Sequence, residues 1–287
     1  MENQALTDEI FFGGESDLAL ERRRFNTNIE GIDYKRERSL VGVWERITVR
    51  TEIGAKSIGK PIGIYDTLSV SRMDLLDPDE IDDAKEEVAR ELCNIFEREE
   101  IQPARILVVG LGNKDLTPDA IGPHTASCIS PTLHLSQNDR RMFETLECSE
   151  IAVIAPGVRN TSGIDTAEII SGVCDRIKPD AVIAIDSLAS RSQERLGTTV
   201  QVSSVGIIPG SGFGWNTKAV NKGTLGIPVI SIGVPTVINS AFFETNLPKT
   251  KNQSGGMFVS PREIDTIVKN ASEIISGGIN QAFGIIY

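Results

Sequence analysis

The sequence predicts an α/β fold: a mostly parallel central sheet with helices on both faces, an N-terminal arm and extra strands. Two observations predict it. Ile106-Leu107-Val108-Val109, Ile151-Ala152-Val153-Ile154-Ala155 and Ala181-Val182-Ile183-Ala184-Ile185 are short, wholly apolar runs, the pattern of strands buried on both faces. Segments of helical periodicity stand between and beyond them, and alternating strands and helices build parallel sheets.

The elements follow in chain order. The first 25 residues mix a Phe11-Phe12-Gly13-Gly14 break with the charged run Glu21-Arg22-Arg23-Arg24 and read as an arm outside the core. Residues 40–70 alternate apolar and polar positions (Val41, Val43, Ile47, Val49), which predicts strands broken at Gly59-Lys60-Pro61. A helix starts at Asp77: the Asp caps it, Pro78 suits its first position and Glu80 completes a capping-box spacing. Ile81, Ala84, Val88, Leu92 and Ile95 give it one apolar face, and it should end near Glu100, ahead of Pro103. After the 106–109 strand, Gly110 to Thr117 forms a loop and a helix begins at Pro118. The 151–155 strand stops at Pro156-Gly157, a helix covers Asp165 to Arg176, and the 181–185 strand follows. Residues 198–208 and Val229 to Ile232 supply further strands, and Pro261 to Ile275 a closing helix.

Charge narrows the function. The 287 residues carry 29 Lys+Arg against 40 Asp+Glu, and residues 1–104 hold 14 basic against 24 acidic residues. An acidic front half argues against nucleic acid and anionic membranes as partners. No apolar run approaches the roughly 18 residues of a membrane span, and no secretory leader is legible at the start. Cys93, Cys128, Cys148 and Cys174 form no CxxC pair and read as buried thiols in a reducing cytoplasm. His124 and His134 are the only histidines, which limits any mechanism that needs imidazole.

In open α/β sheets, sites lie beyond the carboxyl ends of the strands. One such end is Gly110-Leu111-Gly112-Asn113 with its continuation through Asp119; the other is Asp186-Ser187-Leu188-Ala189-Ser190-Arg191. Gly110 and Gly112 match two glycines of a dinucleotide fingerprint, but the third position holds Asp115 and no P-loop spacing follows, so a tight turn is the plainer reading. Thr117, Pro118 and Asp119 fit the cap and first two positions of a helix, whose dipole would favour an ionised Asp119; a merely helix-stabilising acid is the alternative. Asp186 follows five apolar residues, where a carboxylate is costly unless paired or used; it could instead cap a helix or pair with Arg191. If the two strands are neighbours, the carboxylates face each other and one keeps a proton. One then activates water while the other protonates a carbonyl or leaving amine, an arrangement for amide hydrolysis.

The stretches Val108 to Pro123, Ala155 to Gly163, Ile183 to Arg191, Gly206 to Gly214 and Thr224 to Val237 resemble, in order, those of the germination proteases of spore-forming bacteria. The resemblance implies an α/β fold similar to hydrogenase-maturation endopeptidases and an endopeptidase acting on small acid-soluble spore proteins during germination. It also implies a homotetramer in the forespore or spore-core cytoplasm and a self-processing precursor, activated as the forespore acidifies. The family's proposed catalytic aspartates fall on Asp119 and Asp186. Its substrates are cut after Glu in sequences like Thr-Glu followed by Ile or Phe, then Ala-Ser-Glu; Ser16 to Glu21 has the same order, so self-cleavage is expected between Asp17 and Leu18. The expected layout is therefore a propeptide-like arm, 1–17, and a single α/β peptidase domain, 18–287. Gly110, Gly112 and Asn113 are expected to shape the crevice and offer N–H donors to an oxyanion, with Arg159 and Arg191 attracting an acidic substrate residue. Hydrogenase-maturation endopeptidases add a later histidine to two carboxylates. Here no histidine follows His134, so no metal or other cofactor is expected. The alternatives are a metal-dependent amidase on the same scaffold or a non-catalytic binding module.

Overall fold

The computed structural model describes residues 16–22, 29–210, 217–239 and 257–285. Its strands are β1 (Ile32–Arg38), β2 (Gly42–Val49), β3 (Gly63–Val70), β4 (Arg105–Gly110), β5 (Glu150–Ile154), β6 (Ala181–Ser190), β7 (Thr199–Ser203), β8 (Val229–Asn239) and β9 (Phe258–Val259). They form one sheet in the order β1-β2-β3-β7-β8-β6-β4-β5, with β9 added beside the end of β8. The half made of β5, β4, β6 and β8 is parallel, while β7, β3, β2 and β1 extend it antiparallel. The α/β class is thus as expected, with the extra strands continuing the same sheet.

Alternation along β4 explains the two layers. Ile106 and Val108 face a core shared with α2 (Pro78–Arg98) and α5 (Ile264–Ala282). Leu107 and Val109 face the opposite one, covered by α4 (Thr166–Ile177). In α2 the Asp77 carboxylate accepts the Glu80 N–H at 2.9 Å and Glu80 accepts the Asp77 N–H at 3.0 Å, the expected capping box. Arg46 of β2, Asp66 of β3 and Glu91 and Arg98 of α2 tie helix to sheet through a buried ion network.

Several boundaries differ from the sequence reading. Residues 40–70 include a helix, α1 (Glu52–Ile58), because Thr51 caps it by accepting the Gly54 N–H at 3.2 Å and Gly59 closes it in the left-handed region. The polar segment Ile32–Arg38 is an edge strand. Thr199–Ser203 is shorter than the strand expected over 198–208, and two helices, Leu133–Asn138 and Arg140–Leu146, precede β5. The closing helix runs on to Ala282 through Gly277 and Gly278, which face Lys85 and Val88 of α2 and let the two helices close together. Of the four cysteines only Cys174 is buried; Cys93 and Cys128 are exposed and Cys148 is half-buried.

The largest correction concerns the arm. Residues 1–15 and 23–28 lie outside the described residues, but 16–22 belong to the core rather than outside it. Leu18 and Ala19 are 0% exposed. Leu18 joins Leu107, Val109, Leu111 and Leu188 in one apolar cluster; Ala19 and Leu20 join Ile47, Val49, Ala55 and Tyr65 in another.

Candidate active site

Strand lengths build the site. β4 stops at Gly110, opposite Ile185, whereas β6 continues beside β8 for five more residues to Ser190. Asp186 is therefore the first residue of β6 beyond the end of β4, within a strand whose ten residues are all buried. It neither caps a helix nor pairs with Arg191. Its carboxylate accepts the Ser187 N–H at 2.9 Å, and the adjacent Ser187 hydroxyl is buried with no hydrogen-bond partner among the described residues.

Asp119 arrives from the other side. The chain leaves β4 through Leu111, whose N–H donates to the Ile185 carbonyl at 2.8 Å. Gly112 then turns with φ +109°, and a Cβ there would stand 2.1 Å from the Asp119 carbonyl oxygen. Only glycine permits that approach. The Asn113 N–H donates both to the Asp119 carboxylate at 2.8 Å and to its carbonyl at 3.0 Å. The expected helix start at Pro118 is instead a 3₁₀ turn, Thr117–Asp119, ahead of α3 (Ile121–Ser127), with no side-chain cap.

The expectation that a helix dipole keeps Asp119 readily ionised is overturned. Asp119 is 5% exposed, and burial pushes its carboxyl up to about 6 against the opposing pull of the Asn113 N–H. Asp186, 3% exposed, is held well above the ordinary carboxylate range, first by burial and then by the charge of Asp119. The Ser187 and Gly210 N–H groups pull it back in part, and the charge of Asp17 adds to the rise. The charge of Asp119 thus adds to the cost of ionising Asp186, which favours one proton carried between the two.

Both aspartates line a cleft of about 350 Å³ with Leu111, Gly112, Arg159 and Gly210. Gly110 lies beneath it, packed against Gly122. The Leu111 and Asn113 N–H groups are already committed, to Ile185 and Asp119, so they are not the oxyanion donors expected of this loop. Arg191 contributes its main-chain N–H, which donates to Glu21 at 2.8 Å. His124 and His134 are exposed, and among the described residues no three His, Cys, Asp or Glu side chains stand together to hold a metal ion.

The expected cleavage site lies beside this cleft. The Asp17 N–H donates to the Ala189 carbonyl at 3.0 Å, and the Asp17 carboxylate accepts the Ala189 N–H at 2.8 Å. The Asp17 carbonyl, on the Asp17–Leu18 peptide bond, accepts from Lys60 Nζ at 2.8 Å and from Gln201 Nε2 at 3.4 Å. Lys60 and Gln201 were not among the candidates read from the sequence, where nothing marks a lone Lys or Gln as facing a distant peptide.

Comparison with known proteins identifies the family. Residues 15–246 match the family model described as germination protease, Peptidase_A25. The germination protease of Caldanaerobacter subterraneus subsp. tengcongensis is 38% identical, with 95% of each chain covered. That of Clostridium perfringens is 35% identical over 93% of this chain and 94% of the other. Among solved structures there is a distant likeness to the [NiFe] hydrogenase maturation protease HycI of Thermococcus kodakarensis KOD1. It has a TM-score of 0.35 and 18% identity, covering 64% of this chain and 98% of that one. The molecule is thus a peptidase, with an α/β scaffold and a cleft at the carboxyl end of its parallel strands. It belongs to the germination protease family, the endopeptidases of spore germination.

Proposed function

We propose that this endopeptidase hydrolyses peptide bonds through Asp119 and Asp186, is made as a precursor that cuts itself between Asp17 and Leu18, and then begins the breakdown of small acid-soluble spore proteins in the germinating spore core. A homotetramer is part of the same reading. The observation that carries it is the pair of buried carboxylates at the carboxyl end of adjacent parallel strands, both raised by burial, with Asp186 bearing in addition the charge of Asp119.

The division of labour follows from that difference. Asp119, ionised above pH about 6, takes a proton from a water in the cleft. The resulting hydroxide attacks the peptide carbonyl carbon. Asp186, still protonated, gives its proton to the carbonyl oxygen; as the C–N bond breaks, Asp119 passes the proton it took from water to the amine nitrogen, and a hydroxyl of the tetrahedral intermediate returns one to Asp186. The products are a free carboxyl and a free amine, and the pair returns to one shared proton. For the precursor's own bond, Lys60 and Gln201 draw charge toward the Asp17 carbonyl oxygen and make its carbon a better target.

Asp119→Asn and Asp186→Asn test the reading. Each should lower both self-processing and cleavage of a spore-protein peptide by roughly 10²–10⁴-fold, the usual worth of a positioned acid or base. Near-normal rates in either variant would sink the pair mechanism. Activity that disappears with a chelator and returns with added metal would favour the metal-dependent alternative. N-terminal sequencing of the active protein locates the cut.

A further inference from the structure

The segment Ser16–Glu21 occupies an edge of β6 that β4 leaves open. Ile185, Ser187 and Ala189 alternate with their neighbours and so turn their main-chain groups toward the same side. The Ile185 carbonyl takes the Leu111 N–H; four residues on, the Ala189 carbonyl takes the Asp17 N–H. The arm thus continues the edge that β4 begins. Gln201 holds the same stretch by its side-chain amide, Oε1 accepting the Ala19 N–H at 2.9 Å while Nε2 faces the Asp17 carbonyl. Capture of main chain in this way is blind to side chains, so any preference must come from seats for particular residues.

Two such seats are visible. Leu18 is wholly enclosed by apolar side chains. Three residues further on, four donors converge on the Glu21 carboxylate. Oε1 accepts the Ser190 hydroxyl at 2.6 Å and the Ser192 N–H at 2.9 Å. Oε2 accepts the Arg191 N–H at 2.8 Å and the hydroxyl of Ser16. Three of these donors come from the turn that ends β6, and Ser190 itself is 0% exposed. Two main-chain N–H groups and a buried hydroxyl converging on one point suit an ionised carboxylate better than a neutral amide of the same length.

We propose that the turn Ser190–Ser192 is a specificity seat of the protease: it takes the acidic side chain lying three residues beyond the apolar residue in an extended peptide substrate, and Glu21 is its built-in occupant. This rests on the endopeptidase reading above and adds to it a place where one substrate side chain is read. Glu21 stays on the chain after a cut between Asp17 and Leu18, so it holds the seat until the freed end Leu18–Glu21 lifts from β6; a carboxylate from a bound peptide then takes its place.

The test uses two synthetic peptides copying residues 14–24, one unchanged and one with Gln in place of Glu21. Each is offered to the full chain, before and after self-processing, and to its Ser190→Ala variant. Cleavage is read as kcat/KM and binding by fluorescence anisotropy. The processed protein should prefer the Glu peptide by ~10-fold or more, the scale of a hydrogen bond to a charged group, and Ser190→Ala should shrink that preference to ~3-fold or less. Glu21→Gln in the full chain should loosen the resident segment and lower KM for the Glu peptide. Equal preference in both proteins, or none in the unaltered one, overturns the seat while leaving the endopeptidase reading intact. Binding with the expected preference but no cleavage of either peptide supports the seat and counts against the carboxylate mechanism.

Discussion

Asp119 and Asp186 differ in how much proton affinity their surroundings add, and that difference is measurable. Asp119 titrates about 6, above the ordinary 3.8, because it is buried. Raising an acid in this way keeps it neutral at pH values where a free carboxylate has already ionised. If ionised Asp119 is the base, kcat/KM should climb about tenfold per pH unit below 6 and flatten above it. Asp186, raised by burial and by the charge of Asp119, is the acid of this reading, so its loss of a proton should show as a fall on the alkaline side of the profile. A pH–rate profile of the processed enzyme checks this; a profile already flat down to pH 4 would mean that Asp119 is not the base. These two residues were legible in the sequence because a carboxylate after five apolar residues, and another after a Gly-rich strand end, are costly placements. Lys60, Gln201 and Ser190 were not. Their partners lie 43 positions away for Lys60, 182 for Gln201 and 169 for Ser190, and no local pattern announces such contacts.

Helix α2 was readable nearly to its last residue, since its cap, its first-turn proline and its apolar spacing are all local. Helix α5 was not, because two consecutive glycines ordinarily end a helix and here serve the packing against α2 instead. That reason predicts opposite outcomes for one substitution. At Gly278 an added Cβ would stand 2.7 Å from Val88 Cγ1, so Gly278→Ala should destabilise by about 1–3 kcal/mol despite the better helix propensity. At Gly172, in α4, nothing lies within 4 Å, and Gly172→Ala should stabilise by roughly 0.5–1 kcal/mol. Thermal unfolding of the two variants decides: equal shifts in Tm would refute the packing account. Helix α1 escaped notice for a related reason. It is only seven residues long, and its apolar positions fit strand alternation as well as a helical face.

At the scale of the molecule, the parallel run β5-β4-β6-β8 could be anticipated as a class from its apolar strands. The insertion of β7 between β8 and β3, and the seating of residues 16–22, could not, because both depend on pairings between distant segments. The seated segment contributes to the fold as well as holding the end of β6. Leu18→Ala should cost about 2–5 kcal/mol in the precursor and expose the N-terminal segment to trypsin, as read by digestion followed by mass spectrometry. Protection equal to that of the unaltered chain would show that Leu18 is not an anchor. The same seating has a kinetic side. A short tether holds its own end at an effective concentration in the millimolar range. A free protein chain competing for that edge meets a rival that never diffuses away, even after a cut between Asp17 and Leu18, so its own abundance sets how far it displaces that rival.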